Sequence, residues 1–138
     1  MSLSVLTKRK VKERADYLCE YCAALATYSA QPFVIEHINP KSKKGTDELK
    51  NLAYACGGCN GSKYNKTHGF DAISNENVIL YNPRTMEWKE HFIWSDNFLE
   101  IIGISPIGRA TVLTLKVNHY GIKNLRKLWL MDNLHPPF

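Results

Sequence analysis

No stretch of this chain stays apolar for the length a bilayer crossing demands. The N-terminal Met-Ser-Leu-Ser-Val-Leu-Thr-Lys-Arg also lacks a signal peptide's order of basic and then apolar segments. A membrane partner and export are therefore not expected, and the reading is of a soluble, cytoplasmic protein. Internal repeats, low-complexity tracts and long linkers are missing too, which excludes a solenoid or a string of tethered modules. Acidic residues are in deficit, 13 Asp and Glu against 18 Lys and Arg, giving a formal charge of +5 and a pI near 9.0. That balance favours a polyanionic partner, although ordinary surface charge would produce it as well. At 138 residues and 44% hydrophobic content, the chain suffices for one domain, 1–138, with a modest core.

What is present begins with four cysteines, arranged as two Cys-x-x-Cys pairs at Cys19/Cys22 and Cys56/Cys59. Paired in this way they have the spacing of a four-thiolate zinc site. The competing use, a redox-active disulfide, needs a pair opening a helix beside a thioredoxin-like sheet, and no βαβ pattern surrounds either pair. A structural Zn2+ is expected. The segment between the pairs is longer than in the commonest zinc ribbons.

That segment is the informative one. Phe33, Val34 and Ile35 form an apolar run ending in Glu36-His37, stopped by Asn39-Pro40 because proline cannot donate to a sheet ladder. Lysines 41, 43, 44 and 50 fill the following polar loop, and the chain returns through Leu49 to Ala55 into Cys56, Cys59, Asn60 and Lys63. The predicted order is strand, loop, strand, helix. At these residues the chain resembles the HNH endonucleases, whose ββα-metal motif has an acid and a histidine on the first strand, a central asparagine, and a final histidine or asparagine on the helix. The matching residues are Glu36-His37, Asn51 and Asn60. Further segments look like the tail of small stand-alone HNH proteins: Asn82-Pro83-Arg84, Glu90 to Trp94, and Gly108 to Thr111. One departure is Lys43-Lys44-Gly45, where such proteins often have two glycines.

The resemblance implies an α+β fold: a ββα-metal core with an N-terminal helix over 1–70, braced by the four-cysteine zinc site, and a C-terminal β-hairpin and helices over 71–138. It implies hydrolysis of DNA phosphodiesters. His37 would be the general base, since a neutral imidazole can take a water proton near neutral pH. Glu36 and Asn60 would hold a catalytic Mg2+ or Mn2+, a hard cation content with a few oxygen ligands. Asn51 would orient the loop and His37 through backbone hydrogen bonds. Neighbouring strand residues point to opposite faces, so the backbone is expected to turn at Glu36-His37 to bring both to one phosphate.

Lys63, three residues after Asn60, is either a phosphate contact or a solvent-facing lysine. Lys41, Lys43, Lys44 and Lys66 are nucleic-acid contacts or plain loop charge. His68 is an extra ligand or, the better reading, part of a turn, while His91 lines the cleft or bonds to backbone. No recognition helix is separable, so sequence preference is expected to be weak or supplied by a homodimer or a specificity-conferring partner.

Local patterns complete the expectation. A helix is predicted over Ser4 to Leu18, with a basic face that is either solvated or against nucleic acid. A second, glycine-rich one is predicted over Gly57 to Lys66, where chelation substitutes for propensity. Asp71 to Asn77 reads as a polar boundary. Strands are predicted over Val78 to Tyr81, Trp88 to Trp94 and Phe98 to Ile104, a helix starting at Ser105-Pro106, and a last helix over Ile122 to Met131. The alternative to a nuclease is a non-catalytic, zinc-stabilised nucleic-acid-binding module. A redox or purely structural zinc protein would leave Glu36, His37 and Asn60 unexplained.

Overall fold

The computed structural model describes residues 3–138; Met1 and Ser2, where the expected domain begins, lie outside the described residues. The described residues form a mixed α/β structure of helices and three two-stranded antiparallel sheets. Among the described residues no helix is long and apolar enough to cross a membrane. Two compact units divide the chain: one comprises the described residues up to Thr67 together with Asn82–Thr85, the other His68–Tyr81 and Met86–Phe138.

In the first unit, Ser4 caps α1 (Val5–Arg14), its hydroxyl accepting from the Thr7 N–H. The helix stops short of the expected Leu18 because Asp16 and Tyr17 take left-handed backbone angles. That turn delivers Leu18 to a bridge with Leu25 and sets up the first cysteine pair. Val11 and Ala15 are buried against Leu52 and Tyr54, whereas Leu6 stays exposed. β1 (Val34–His37) pairs with β2 (Leu52–Ala55), from Val34 opposite Ala55 to His37 opposite Leu52. Every β2 residue is buried. The 3-10 turn Leu49–Asn51 occupies what was expected to be the start of this strand. α2 (Gly57–Lys63) follows and ends at Lys63, not Lys66, since Tyr64 leaves the helical region with φ 50°.

The second unit opens with a hairpin, β3 (His68–Asp71) and β4 (Glu76–Ile79), where a polar boundary and a later strand were expected. Its single glycine, Gly69, lets α4 (Pro106–Leu115) seat closely, as a Cβ there would lie 2.3 Å from Thr114 Oγ1. Asp71 is buried and accepts a two-pronged Arg109 guanidinium at 2.8 and 3.0 Å, which holds its carboxyl well below the ordinary range. Trp88–His91 is a helical turn, α3, and only Phe92–Trp94 is strand, β5, paired with β6 (Ile101–Gly103). Ser105 caps α4 as its Ser-Pro start predicted, and α5 (Tyr120–Met131) begins two residues earlier than expected, with His119 Nδ1 accepting from the Ile122 N–H.

Candidate active site

The cysteine pairs sit on opposite sides of β1–β2 in sequence and meet in space. Cys19, Cys22, Cys56 and Cys59 place their sulfurs within 4.8 Å of one another, with no disulfide among them. Each pair closes a knuckle in which a backbone N–H points at sulfur: Cys22 N to Cys19 Sγ at 3.5 Å, Cys59 N to Cys56 Sγ at 3.4 Å. A tetrahedral zinc–thiolate site with bonds of about 2.3 Å has edges of roughly 3.8 Å. The Cys22–Cys56 sulfur separation is 3.6 Å, so the cluster fits a structural zinc. Four such thiols, largely buried, cannot all ionise without a cation among them. Hydrogen bonds from Cys19, Cys22 and Cys59 pull the Cys56 thiol strongly down, while those to its neighbours, Cys19 first, push Cys22 and Cys59 up.

The first knuckle is tied to β2 by Glu20, whose N–H donates to Tyr54 O and whose carboxylate accepts from Tyr54 N, both near 3 Å. The same carboxylate pairs with Arg84. Burial, with Arg14 nearby, lowers the Arg84 guanidinium to about 10.

Glu36 and His37 do not turn together toward one point. The strand stays regular through both, Glu36 opposite Ala53 and His37 opposite Leu52, so their side chains leave on opposite faces. This corrects the predicted bend. Glu36 goes inward, 5% exposed, where the Tyr21 hydroxyl donates to Oε1 and Lys63 Nζ lies 3.0 Å from Oε2. Burial, then the Glu36 charge, push the Tyr21 phenol up. Lys63, 2% exposed, also donates to the carbonyls of His37 at 3.3 Å and Ile38 at 2.9 Å, which clamps α2 to the end of β1. Lys63 is therefore not a surface contact for phosphate: its ammonium is consumed inside the unit.

His37 remains partly exposed, with Nε2 2.7 Å from Asp47 Oδ1, and Lys41 Nζ reaches the same oxygen at 3.1 Å. Hydrogen bonds from His37 and then Lys41 hold the Asp47 carboxyl below its ordinary value. Asp47 is delivered there by a pinned loop. The Asn51 side chain accepts from Asn39 N at 2.8 Å and donates to Asn39 O at 3.0 Å and Thr46 O at 2.8 Å. Its backbone carbonyl takes the Ile38 N–H.

The Lys-Lys-Gly departure is accommodated within this loop. Lys44 adopts the left-handed conformation, φ 68° and ψ 25°, and Gly45 supplies the close approach, since a Cβ there would lie 1.7 Å from Asn39 O. Gly45→Ala should thus cost about 1–3 kcal/mol by forcing the loop apart. Lys44→Gly should stay within about 1 kcal/mol of neutral, because relief of the left-handed strain is offset by added freedom in the unfolded chain. Urea midpoints of the two zinc-loaded variants check this.

Asn60 lies half-buried on α2, its N–H bonded to Cys56 O, one turn before Lys63. Lys43, Lys44 and Lys66 are exposed, the last donating to Ser62 O. His68 is exposed on β3 opposite Ile79, and His91 bonds through Nδ1 to the Ser105 hydroxyl at 2.7 Å. Asp47, Tyr21 and the Glu20–Arg84 pair escaped the sequence reading. Tyr21 had a signal: a tyrosine inside a Cys-x-x-Cys knuckle is carried inward, and its hydroxyl then needs a partner.

The segment holding both cysteine pairs, Glu36, His37, Asp47 and Asn51 also carries a recognisable pattern as a whole. Residues 19–66 match the HNH endonuclease family. No curated protein and no solved structure matches the chain. The HNH segment indicates a nuclease-type function, and everything described in the knuckles, β1, the pinned loop, β2 and α2 falls within it.

Proposed function

We propose that the chain is an endonuclease that hydrolyses DNA phosphodiester bonds, with His37 as general base on the attacking water and a structural zinc in the four-cysteine cluster. The observation that carries this reading is His37 itself. Within the HNH segment its imidazole is partly exposed at a strand end, buttressed by a loop that Asn51 holds by three side-chain hydrogen bonds. A neutral imidazole so placed can accept a proton from water near neutral pH. Lys41, Lys43, Lys44 and Lys66, on a chain of net +5, supply attraction for the phosphate backbone.

The divalent ion implied at Glu36 and Asn60 does not fit the residues as they stand. A hard cation needs free oxygens, and both Glu36 oxygens are engaged, one by Tyr21 and one by a lysine ammonium that already supplies the countercharge. No step is therefore routed through such an ion. The same closure favours the second reading, a zinc-braced module that holds nucleic acid without cutting, in which Glu36 only braces the fold.

His37→Ala separates the two. Cleavage of supercoiled plasmid, assayed with and without Mg2+ or Mn2+, should fall by about 10^2–10^4-fold. DNA affinity and zinc content should stay near wild type, since a base contributes little to ground-state binding. Undiminished cleavage by the variant would overturn the assignment of His37, and binding without cleavage by the wild type would establish the module.

A further inference from the structure

The loop between Asn39 and Asn51 does more than connect two strands: it carries one carboxylate to one ring nitrogen. We infer that Asp47 is a positioning residue for His37, holding the neutral imidazole in the tautomer with its proton on Nε2 and its lone pair on Nδ1. The chemistry of the two partners requires this. Asp47 keeps its ionised form through two cationic or N–H neighbours, and an ionised carboxylate only accepts hydrogen bonds. The 2.7 Å contact to His37 Nε2 is therefore an N–H donating to Oδ1, and Nδ1 is left as the ring's one atom able to take a proton.

The support of Asp47 is itself over-determined. Lys41 Nζ, 3.1 Å from the same oxygen, neutralises the carboxylate from the solvent side. The Asn51 amide fixes Asn39 and Thr46, the residue before Asp47, and the Gly45 backbone packs against Asn39 O. A carboxylate paired with Lys41 and carried on a loop fixed at Asn39 and Thr46 costs little further ordering when the base works, which is the use of a supporting shell around a reacting group. This inference rests on the reading of His37 as general base, and it adds a residue that the HNH resemblance did not bring to this site.

The test uses full-length, zinc-loaded protein labelled with 15N at histidine. His37 ring signals are assigned by their loss in His37→Ala, and spectra are taken above neutral pH. In the wild type His37 should show the Nε2–H tautomer alone; in Asp47→Asn and Asp47→Ala it should become a mixture. Cleavage by both variants should lose about ten- to a hundredfold in kcat with KM and zinc content retained. An Nδ1–H tautomer in the wild type, or one unchanged in Asp47→Ala, overturns the inference. So does an unchanged kcat in a variant whose tautomer has shifted. A wild type that cuts no DNA instead removes the nuclease reading, and the ring spectra then decide alone whether Asp47 sets the imidazole.

Discussion

A chelator that strips metal from Cys19, Cys22, Cys56 and Cys59 should unfold the first unit while the helices α4 and α5 of the second remain. The apolar core that the first unit builds around Val11, Ala15, Leu52 and Tyr54 is small, a poor source of net stability. Both knuckles and the start of α2 hang on the cysteines, and α2 carries Gly57, Gly58 and Gly61 in its first five residues, each a weak helix former. Structural zinc contributes about 10–16 kcal/mol in small metal-braced folds, as much as or more than the whole stability of a typical domain. Any single Cys→Ser substitution should have the same effect, unfolding the site and not merely slowing it. Elemental analysis of protein prepared without chelators should find one zinc per chain. A circular dichroism spectrum unchanged by chelation, a zinc-free preparation that stays folded, or a disulfide within either pair would defeat this expectation.

The second large effect is expected at the Glu36–Lys63 pair. Both side chains are nearly sealed from water, so removing one leaves a charge with no counter-ion inside the unit. Glu36→Gln or Lys63→Met should each cost about 3–5 kcal/mol. The double variant should recover much of that loss, since two well-packed neutral groups replace a pair whose desolvation offsets most of its attraction. Urea denaturation of zinc-saturated wild type, both singles and the double measures the coupling. Additive losses would mean that the contact carries no energy of its own. The result also governs how cleavage assays of the proposed nuclease are read: a Glu36→Gln variant that fails to cut says nothing about metal ligation unless it is folded at the assay temperature. A metal titration of Glu36→Gln, Asn60→Ala and the double, run below their unfolding midpoints, is the informative form.

What could be read in advance, and what could not, follows from the range of each signal. The four-cysteine cluster was legible because two short spacings suffice to define four thiols that can meet, whatever lies between them. The start of α4 was legible because Ser105-Pro106 acts locally, through one cap and one fixed φ. Trp88 to Trp94 misled because Trp88 and Phe92 are four residues apart, which suits alternation and a helical turn alike; the rings meet at 5.1 Å across the turn that forms. β3 was hidden because a glycine inside a strand looks like a break, and the reason for Gly69 lies in α4, about forty residues on. The acid and histidine were found by pattern, but their directions were not. Whether Glu36 faces an ion or a lysine is decided by where α2 lands, and Lys63 reaches the end of β1 only in three dimensions. Asp47 was one polar residue among many in a loop until Asn51 and Gly45 gave that loop a shape.

Arg84 bears on where this protein can be cut and rejoined. The chain leaves the first unit at Thr67, forms a hairpin, and re-enters it at Asn82 to bring a guanidinium to Glu20. A coding cassette ending at Lys66 would carry the cysteines, the histidine and the pinned loop, yet would strand Glu20 beside β2 without its counter-ion. A fragment cut at that point should therefore be less stable than one completed by Asn82–Thr85, although fourteen residues, 68–81, separate the two stretches. The first unit is complete only once the chain has passed through the intervening hairpin.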